Sequence, residues 1–252
     1  MVLPLYDSNP LRHIGFAYVT AAFIAACVAV FVYQMTLPQD QAELFIFTYG
    51  AIPADLFGLA ARPAEIDALP PLLTVISSMF LHGGFMHLLG NMLFLWVLGD
   101  NVEDAMGHGR FIVFYLLCGI AAAFAHAIVE PSSTIPMIGA SGAISGVIGA
   151  YLMLHPHATI RTLMLHFVVP LPAWAVLGLW IGLQVFNVYI APSGEGGGVA
   201  WWAHIGGFVA GAVLIVPFRW RDVPLFDRGQ GHPVIARTII PKAGIPRSGK
   251  RP

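Results

Sequence analysis

The sequence predicts an all-α membrane protein, a bundle of six spanning helices with both termini in the cytoplasm. Three observations carry this. Of the 252 residues, 58% are hydrophobic and only 10% are charged, against about 25% charged in a soluble domain. The mean hydropathy is +0.77. Uncharged stretches close to the ~20 residues of a spanning helix recur along the chain, and they sort the Lys and Arg residues to one side.

Ile14 to Leu37 has no charged residue and is the first span. The uncharged run from Ala68 to Gly99 is too long for one helix and contains Pro70-Pro71, so the second span is about Gly84 to Leu98. Phe111 to Val129 is the third. The fourth begins near Ser141, after the loop-like "PSSTIPMIG", and stops at Leu154, before His155-Pro156. Leu171 to Ala191 is the fifth. "GEGGG" at Gly194–Gly198 is a flexible break, and Trp201 to Phe218 is the sixth. Residues 1–13 form a cytoplasmic N-terminus, 38–70 a long first external loop, and 219–252 a basic tail with the Pro/Gly-rich composition of disordered chain. If the six spans alternate, Arg12, Arg110, Arg161 and every cation from Arg219 onward lie on one side, and only Arg62 lies on the other. That asymmetry puts both termini in the cytoplasm.

Ile24-Ala25-Ala26-Cys27 resembles a lipoprotein cleavage box. The apolar run continues well past Cys27, so the first span reads as retained rather than cleaved. The only other cysteine, Cys118, also lies in an apolar stretch, so no disulfide framework is implied. The net charge of −1 points to no charged partner, and no nucleic acid is expected.

Polar groups at membrane depth are costly, so each is a candidate for function. Three groups stand out: His82, His87 and Asn91 in "HGGFMHLLGN", Ser141 in "GASG", and His204 in "AHIGGFVAG". Span alternation places all three in the non-cytoplasmic half. Gly142, Gly146 and Gly149 form one small-residue face, and Ala203, Gly207 and Gly211 form another. Close packing of these faces would bring Ser141 beside His204, the geometry of a nucleophile and its base. His87 and Asn91 are four residues apart and share one helix face. With the backbone N–H groups at a helix start, they offer donors to a developing oxyanion.

Each feature has a plainer explanation. A serine in a glycine run is most often a packing residue, a buried histidine is most often a satisfied structural group, and Asn91 can simply tie two helices. Three histidines can also ligate a metal. However, no HExxH is present and the helix cores lack carboxylates, which argues against a zinc protease. "LGD" at Leu98–Asp100 is similar to an aspartic-protease GxGD element, but residue 97 is Val and no second intramembrane Asp exists. The soluble-hydrolase elbow G-x-S-x-G fails at Ala143. A solute transporter would call for inverted repeats and paired intramembrane charges, which are not seen.

Taken together, "HGGFMHLLGN", "GASGAISG" and "AHIGG" on the second, fourth and sixth spans resemble the rhomboid family of intramembrane serine proteases. "GDNVEDAMGHGRF" also looks like that family's short turn into the third span, with Glu103 and Gly107 as its fixed points. The resemblance covers roughly Pro71 to Gly211. It implies a six-transmembrane-helix rhomboid-like bundle with Ser141 as nucleophile and His204 as base. It implies an oxyanion site of Asn91, His87 and the Ser141 N–H, with His82 nearer the surface. It implies no metal or cofactor, and substrates that are single-pass membrane proteins cut in or near the lipid bilayer. A catalytically inactive, client-binding relative is the alternative, but such relatives usually lack the Ser or the His. Two departures stand out. Ser145 replaces an aromatic that packs on the catalytic His in some members, which leaves that support to another residue. Residues 38–70 lack the Trp-Arg pair that anchors the first loop in many members. The short soluble parts point to a bacterial inner membrane.

Overall fold

The computed structural model describes residues 2–60, 69–164, 166–190 and 200–227. Arg62, the Gly194–Gly198 break and the basic stretch 228–252 lie outside the described residues. In chain order the helices are α1 (Tyr18–Thr36), α2 (Gln39–Tyr49), α3 (Pro53–Leu56), α4 (Pro71–Ser77), α5 (Phe85–Met106), α6 (His108–Val129), α7 (Ser141–Leu154), α8 (Ala173–Ile190) and α9 (Trp201–Phe218). Four of them, α1, α6, α8 and α9, are long and apolar enough to cross a membrane. The α4 segment with the 3-10 turn after it, and α5, pass the same test together but are bent by 84°. α7 is apolar but has only 14 residues.

The chain is mostly helical but not all-α. Val2–Asp7 (β1), Thr159–Met164 (β2) and Phe167–Pro172 (β3) form an antiparallel sheet in the order β1-β2-β3. The expectation failed because β2 and β3 were absorbed into a connection and the start of the fifth span. Along β2 the burial nonetheless alternates, Ile160 and Thr162 being buried and Thr159 and Arg161 exposed, as a half-buried strand requires.

The second span runs to Met106, not Leu98. Its charged last turn faces protein rather than lipid, so charge does not end the helix. Glu103 is fully buried and Asp104 nearly so. Glu103 supplies the cap that α1 lacks at Ala17: the N–H groups of Val19 and Thr20 donate to its carboxylate at 3.0 and 2.8 Å, and the Thr20 hydroxyl at 2.7 Å. These are the orphan donors of a helix start. Asp104 accepts from the N–H groups of Arg12, His13 and Ile14. That holds Ile14–Ala17 outside α1, which therefore starts at Tyr18. Gly107 ends α5 at φ +82°, where the Trp220 ring lies against it and a Cβ would come within 2.9 Å.

The 38–70 segment contains α2 and α3 and leads into α4. It is anchored on the 130–140 segment rather than by a Trp: Ala51 and Met137 exchange backbone bonds, and the Ala54 N–H donates to the Ser133 carbonyl. Residues 219–227, expected to open the tail, are instead tied to the bundle at a few points. Val223 is buried, and the N–H groups of Phe226 and Asp227 donate to the Met153 and Leu154 carbonyls.

α7 is the centre of the bundle, with ten of its residues buried. Its glycines meet α9 backbone to backbone. A Cβ on Gly207 would strike the Gly142 carbonyl, one on Gly211 the Gly146 carbonyl, and one on Gly149 the Phe208 carbonyl. The two small-residue faces expected from the sequence are therefore the contact surface.

Candidate active site

Ser141 is the first residue of α7 and His204 lies in the first turn of α9. The close α7–α9 contact sets their side chains together: His204 Nε2 lies 2.8 Å from Ser141 Oγ. Both are half-buried. His204 Nδ1 lies 2.8 Å from Gln184 Oε1 on α8. The Trp180 and Trp201 rings flank the imidazole, with centroids 5.8 and 6.2 Å away.

The N–H groups of the first turn of α7 have no intrahelical partner and carry the positive end of the helix dipole. Gly139 precedes that turn at φ +119°, a conformation a side chain rarely adopts. A Cβ there would also fall 2.8 Å from His87 Nε2 and 3.7 Å from Asn91 Nδ2. So His87 and Asn91, one turn apart on α5, reach the chain just before Ser141. The Gly83 N–H faces His87 Nδ1 at 3.4 Å. That contact leaves Nε2 as the protonated ring nitrogen, turned toward Gly139. Asn91 is buried and its Nδ2 has no hydrogen-bond partner among the described residues, which is unusual for a buried amide donor.

His82 stands apart from Ser141 and His204. Its ring lies 5.2 Å from that of His87, and both its ring nitrogens are buried without a partner among the described residues. Its backbone is held by Gln34 of α1, which bonds its N–H and its carbonyl. Ser145 is fully buried and its hydroxyl donates to the Ser141 carbonyl at 2.6 Å. It braces the first turn of α7 and leaves the imidazole to Gln184 and the tryptophans.

Sequence reasoning missed Gln184 and His126. His126 on α6 is buried, with Nδ1 unpartnered among the described residues. The signal for both was present: each is a polar residue inside an apolar span. Among the described residues no group of three or more His, Cys, Asp or Glu side chains is arranged to hold a metal ion.

The apolar helices and the polar site buried among them define an integral, multi-pass membrane protein with a hydrogen-bonded serine and histidine in its interior. The chain belongs to the rhomboid family: the Rhomboid domain model matches residues 71–221, more than half its length. It is 36% identical over 165 residues to the rhomboid protease GluP of Bacillus subtilis, covering 64% of this chain and 30% of that one. It is 29% identical over 221 residues to the mitochondrial rhomboid protein 1 of Saccharomyces cerevisiae, covering 78% and 58%. The rhomboid protease AarA of Providencia stuartii is 28% identical over 229 residues, covering 81% and 74%. The chain thus spans less than two thirds of the Bacillus and yeast proteins.

Proposed function

We propose that this protein is an intramembrane serine endopeptidase that cuts single-pass membrane proteins in or near the bilayer. The observation that carries the reading is the 2.8 Å approach of His204 Nε2 to Ser141 Oγ at the start of α7. That is the reach a base needs to activate a hydroxyl. The names of the Bacillus and Providencia relatives, both rhomboid proteases, support it.

In this reading His204 Nε2 takes the Ser141 proton as Oγ attacks the scissile carbonyl carbon. The carbonyl oxygen becomes an oxyanion and accepts from the Ser141 N–H, Asn91 Nδ2 and His87 Nε2. His204 then gives its proton to the leaving amine, and the C–N bond breaks to leave an acyl-enzyme on Ser141. Water enters, loses a proton to His204 and releases the acid product, and the proton returns to Ser141.

We read six crossings with both termini cytoplasmic. The bent α4–α5 pair counts as one, and α7 as a short sixth. At ~1.5 Å per residue, the 14 residues of α7 span about 21 Å, less than the ~30 Å hydrocarbon core. Ser141 then sits below the external surface, open to water from that side. The described Arg side chains fit this orientation: Arg12, Arg110, Arg161, Arg219 and Arg221 all belong to the ends opposite Ser141. The partners are membrane lipid and the substrate's single span, and the location is a bacterial inner membrane.

The test is reconstitution of the purified protein in liposomes with a panel of single-pass proteins. A cut in or near a substrate's span, blocked by a serine-directed fluorophosphonate, supports the reading. Cleavage that persists after stoichiometric labelling of Ser141 would refute it.

A further inference from the structure

We infer that Gln184 of α8 is a positioning residue for His204, so that the reacting pair is one end of a Ser–His–Gln relay. The inference rests on the protease reading and deepens it at the same site.

His204 is held at both ring nitrogens, Nε2 by Ser141 Oγ and Nδ1 by Gln184 Oε1, each at 2.8 Å. Two bonds on opposite edges fix the ring's plane as well as its place. The amide has one consistent orientation. Gln184 Nε2 donates to the Trp180 carbonyl at 3.1 Å, one turn back on the same helix. The flipped amide would set its oxygen against that carbonyl, two acceptors face to face. Oxygen must therefore face the imidazole, and an amide oxygen only accepts. Nδ1 then carries the hydrogen, and the lone pair lies on Nε2, toward the serine. A backbone carbonyl of α8 thus sets the tautomer that lets His204 act as a base. In serine hydrolases of other folds a carboxylate holds the imidazole in this way. No Asp or Glu is within hydrogen-bond distance of His204 among the described residues.

The placement of Gln184 argues against a mere helix tie. It is the only polar side chain among the buried residues of α8, the others being Ala173, Val176 and Leu177. Gln184 is itself buried, and the Trp180 and Trp201 rings flank the same imidazole. The position vacated by an aromatic at Ser145 is thus answered from a different helix.

The test is the rate at which the full-length protein in detergent reacts with a fluorophosphonate at Ser141, followed against pH for wild type, Gln184→Met and Gln184→Glu, with melting temperatures alongside. Gln184→Met keeps the length of the side chain and removes the acceptor. Its labelling should slow about three- to tenfold, the worth of one neutral hydrogen bond. Gln184→Glu keeps an acceptor and adds a negative charge that stabilises the imidazolium. The acid limb of its profile should move to higher pH by about 1–3 units. A purely structural tie would lower the melting temperature and leave that limb in place. An unshifted limb in folded Gln184→Glu, or wild-type labelling by Gln184→Met, overturns the inference and leaves the protease reading intact. If Gln184→Met does not fold, the Gln184→Glu profile decides alone. Failure of the wild type itself to label at Ser141 would instead overturn the protease reading, and this inference with it.

Discussion

Glu103 and Asn91 lie on the same helix, about 18 Å apart at 1.5 Å per residue, and their surroundings differ. The Glu103 carboxylate is fully buried and meets two α1 amides, the Thr20 hydroxyl and the His108 ring. Three residues of chain hang on Asp104 beside it. At the other end, Asn91 Nδ2 and both His82 ring nitrogens have no partner among the described residues. A buried polar group that is fully bonded holds structure together. One that is left with a free donor costs free energy. Asn101 Oδ1, two residues before Glu103, is also without a partner among the described residues, so the contrast is between the bonded carboxylates and the free Asn91 donor. In the proposed reading the first serves stability and the second the chemistry.

The largest expected effect is at Ser141 and His204. Either Ser141→Ala or His204→Ala should lower kcat by about 10⁴-fold or more, and the double variant should be little worse than either, since the two act as a unit. The melting temperature should barely move. Independent, multiplying losses in the double variant would show that the two do not act together.

Glu103→Ala makes the opposite forecast. It strips the cap from α1 and leaves the Val19 and Thr20 amides without partners. The cost should be about 2–5 kcal/mol of stability, at about 1–3 for each buried donor left unsatisfied. Activity per folded molecule should stay near wild type. Equilibrium unfolding in mild detergent, paired with active-site titration, separates the two quantities. A variant that melts normally but turns over slowly would erase the division between the ends.

Asn91 sharpens it. If its amide only ties α5 to a neighbour, Asn91→Ala should cost about 0.6 kcal/mol of stability and activity should follow folding. If it holds the oxyanion, kcat should fall about 10²–10³-fold, or ~3–4 kcal/mol, in a folded protein. Asn91→Asp keeps the size but repels the oxyanion, and should be at least as damaging. Near-normal turnover by either variant would leave the oxyanion to His87 and the Ser141 N–H.

The placement of the candidate site residues was more legible than the frame around them. The spacing of Gly142, Gly146 and Gly149 against Ala203, Gly207 and Gly211 foretold the α7–α9 contact because small-residue faces work through local periodicity. That His87 and Asn91 share one face, which lies beside Gly139, was legible for the same reason. What the sequence hid depends on contacts between distant segments. β1 pairs with β2 across more than 150 residues, and no local pattern announces that. α5 outruns its apolar stretch because Glu103 and Asp104 find partners in the N-terminal segment, so charge there marks burial rather than exit from the membrane. Gln184 was hidden because a lone amide in an apolar span gains meaning only when α8 sets it against His204.

The smallest expected effect lies in β1 and tests whether the Glu103 end is tuned only for stability. Burial raises the Asp7 pKa from 3.8 to about 6, against the opposing bond from Tyr151, whose hydroxyl donates to its carboxylate at 2.6 Å. The sign follows from which state releases its proton first. Below pH 3.8 both folded and unfolded chains hold it, and Asp7 makes no difference. Between 3.8 and about 6 the unfolded chain gives it up and the folded chain does not, so stability falls as pH rises. Above 6 the loss is complete, at about 3 kcal/mol or less. Asp7→Asn resembles the protonated side chain and can still accept from Tyr151. It should therefore match the wild type near pH 4 and exceed it near pH 8. Two neighbouring histidines titrate in the same range. Burial opposes protonation of His13, but its bonds to Asp222 and Asp104 prevail and raise its pKa, so it adds stability at low pH that is lost as pH rises. Burial lowers that of His155 to about 4, so it loses stability as pH falls below 6.5. Both are present in wild type and variant and cancel in the difference between them, whereas Asp100, whose charge is coupled to that of Asp7, does not: removing the Asp7 charge relieves it and adds to the gap at high pH. The measurement is the gap in melting temperature between Asp7→Asn and wild type from pH 4 to pH 8. A gap that stays constant across that range would mean that Asp7 is ionised throughout, and that β1 is held by a charge the sheet tolerates.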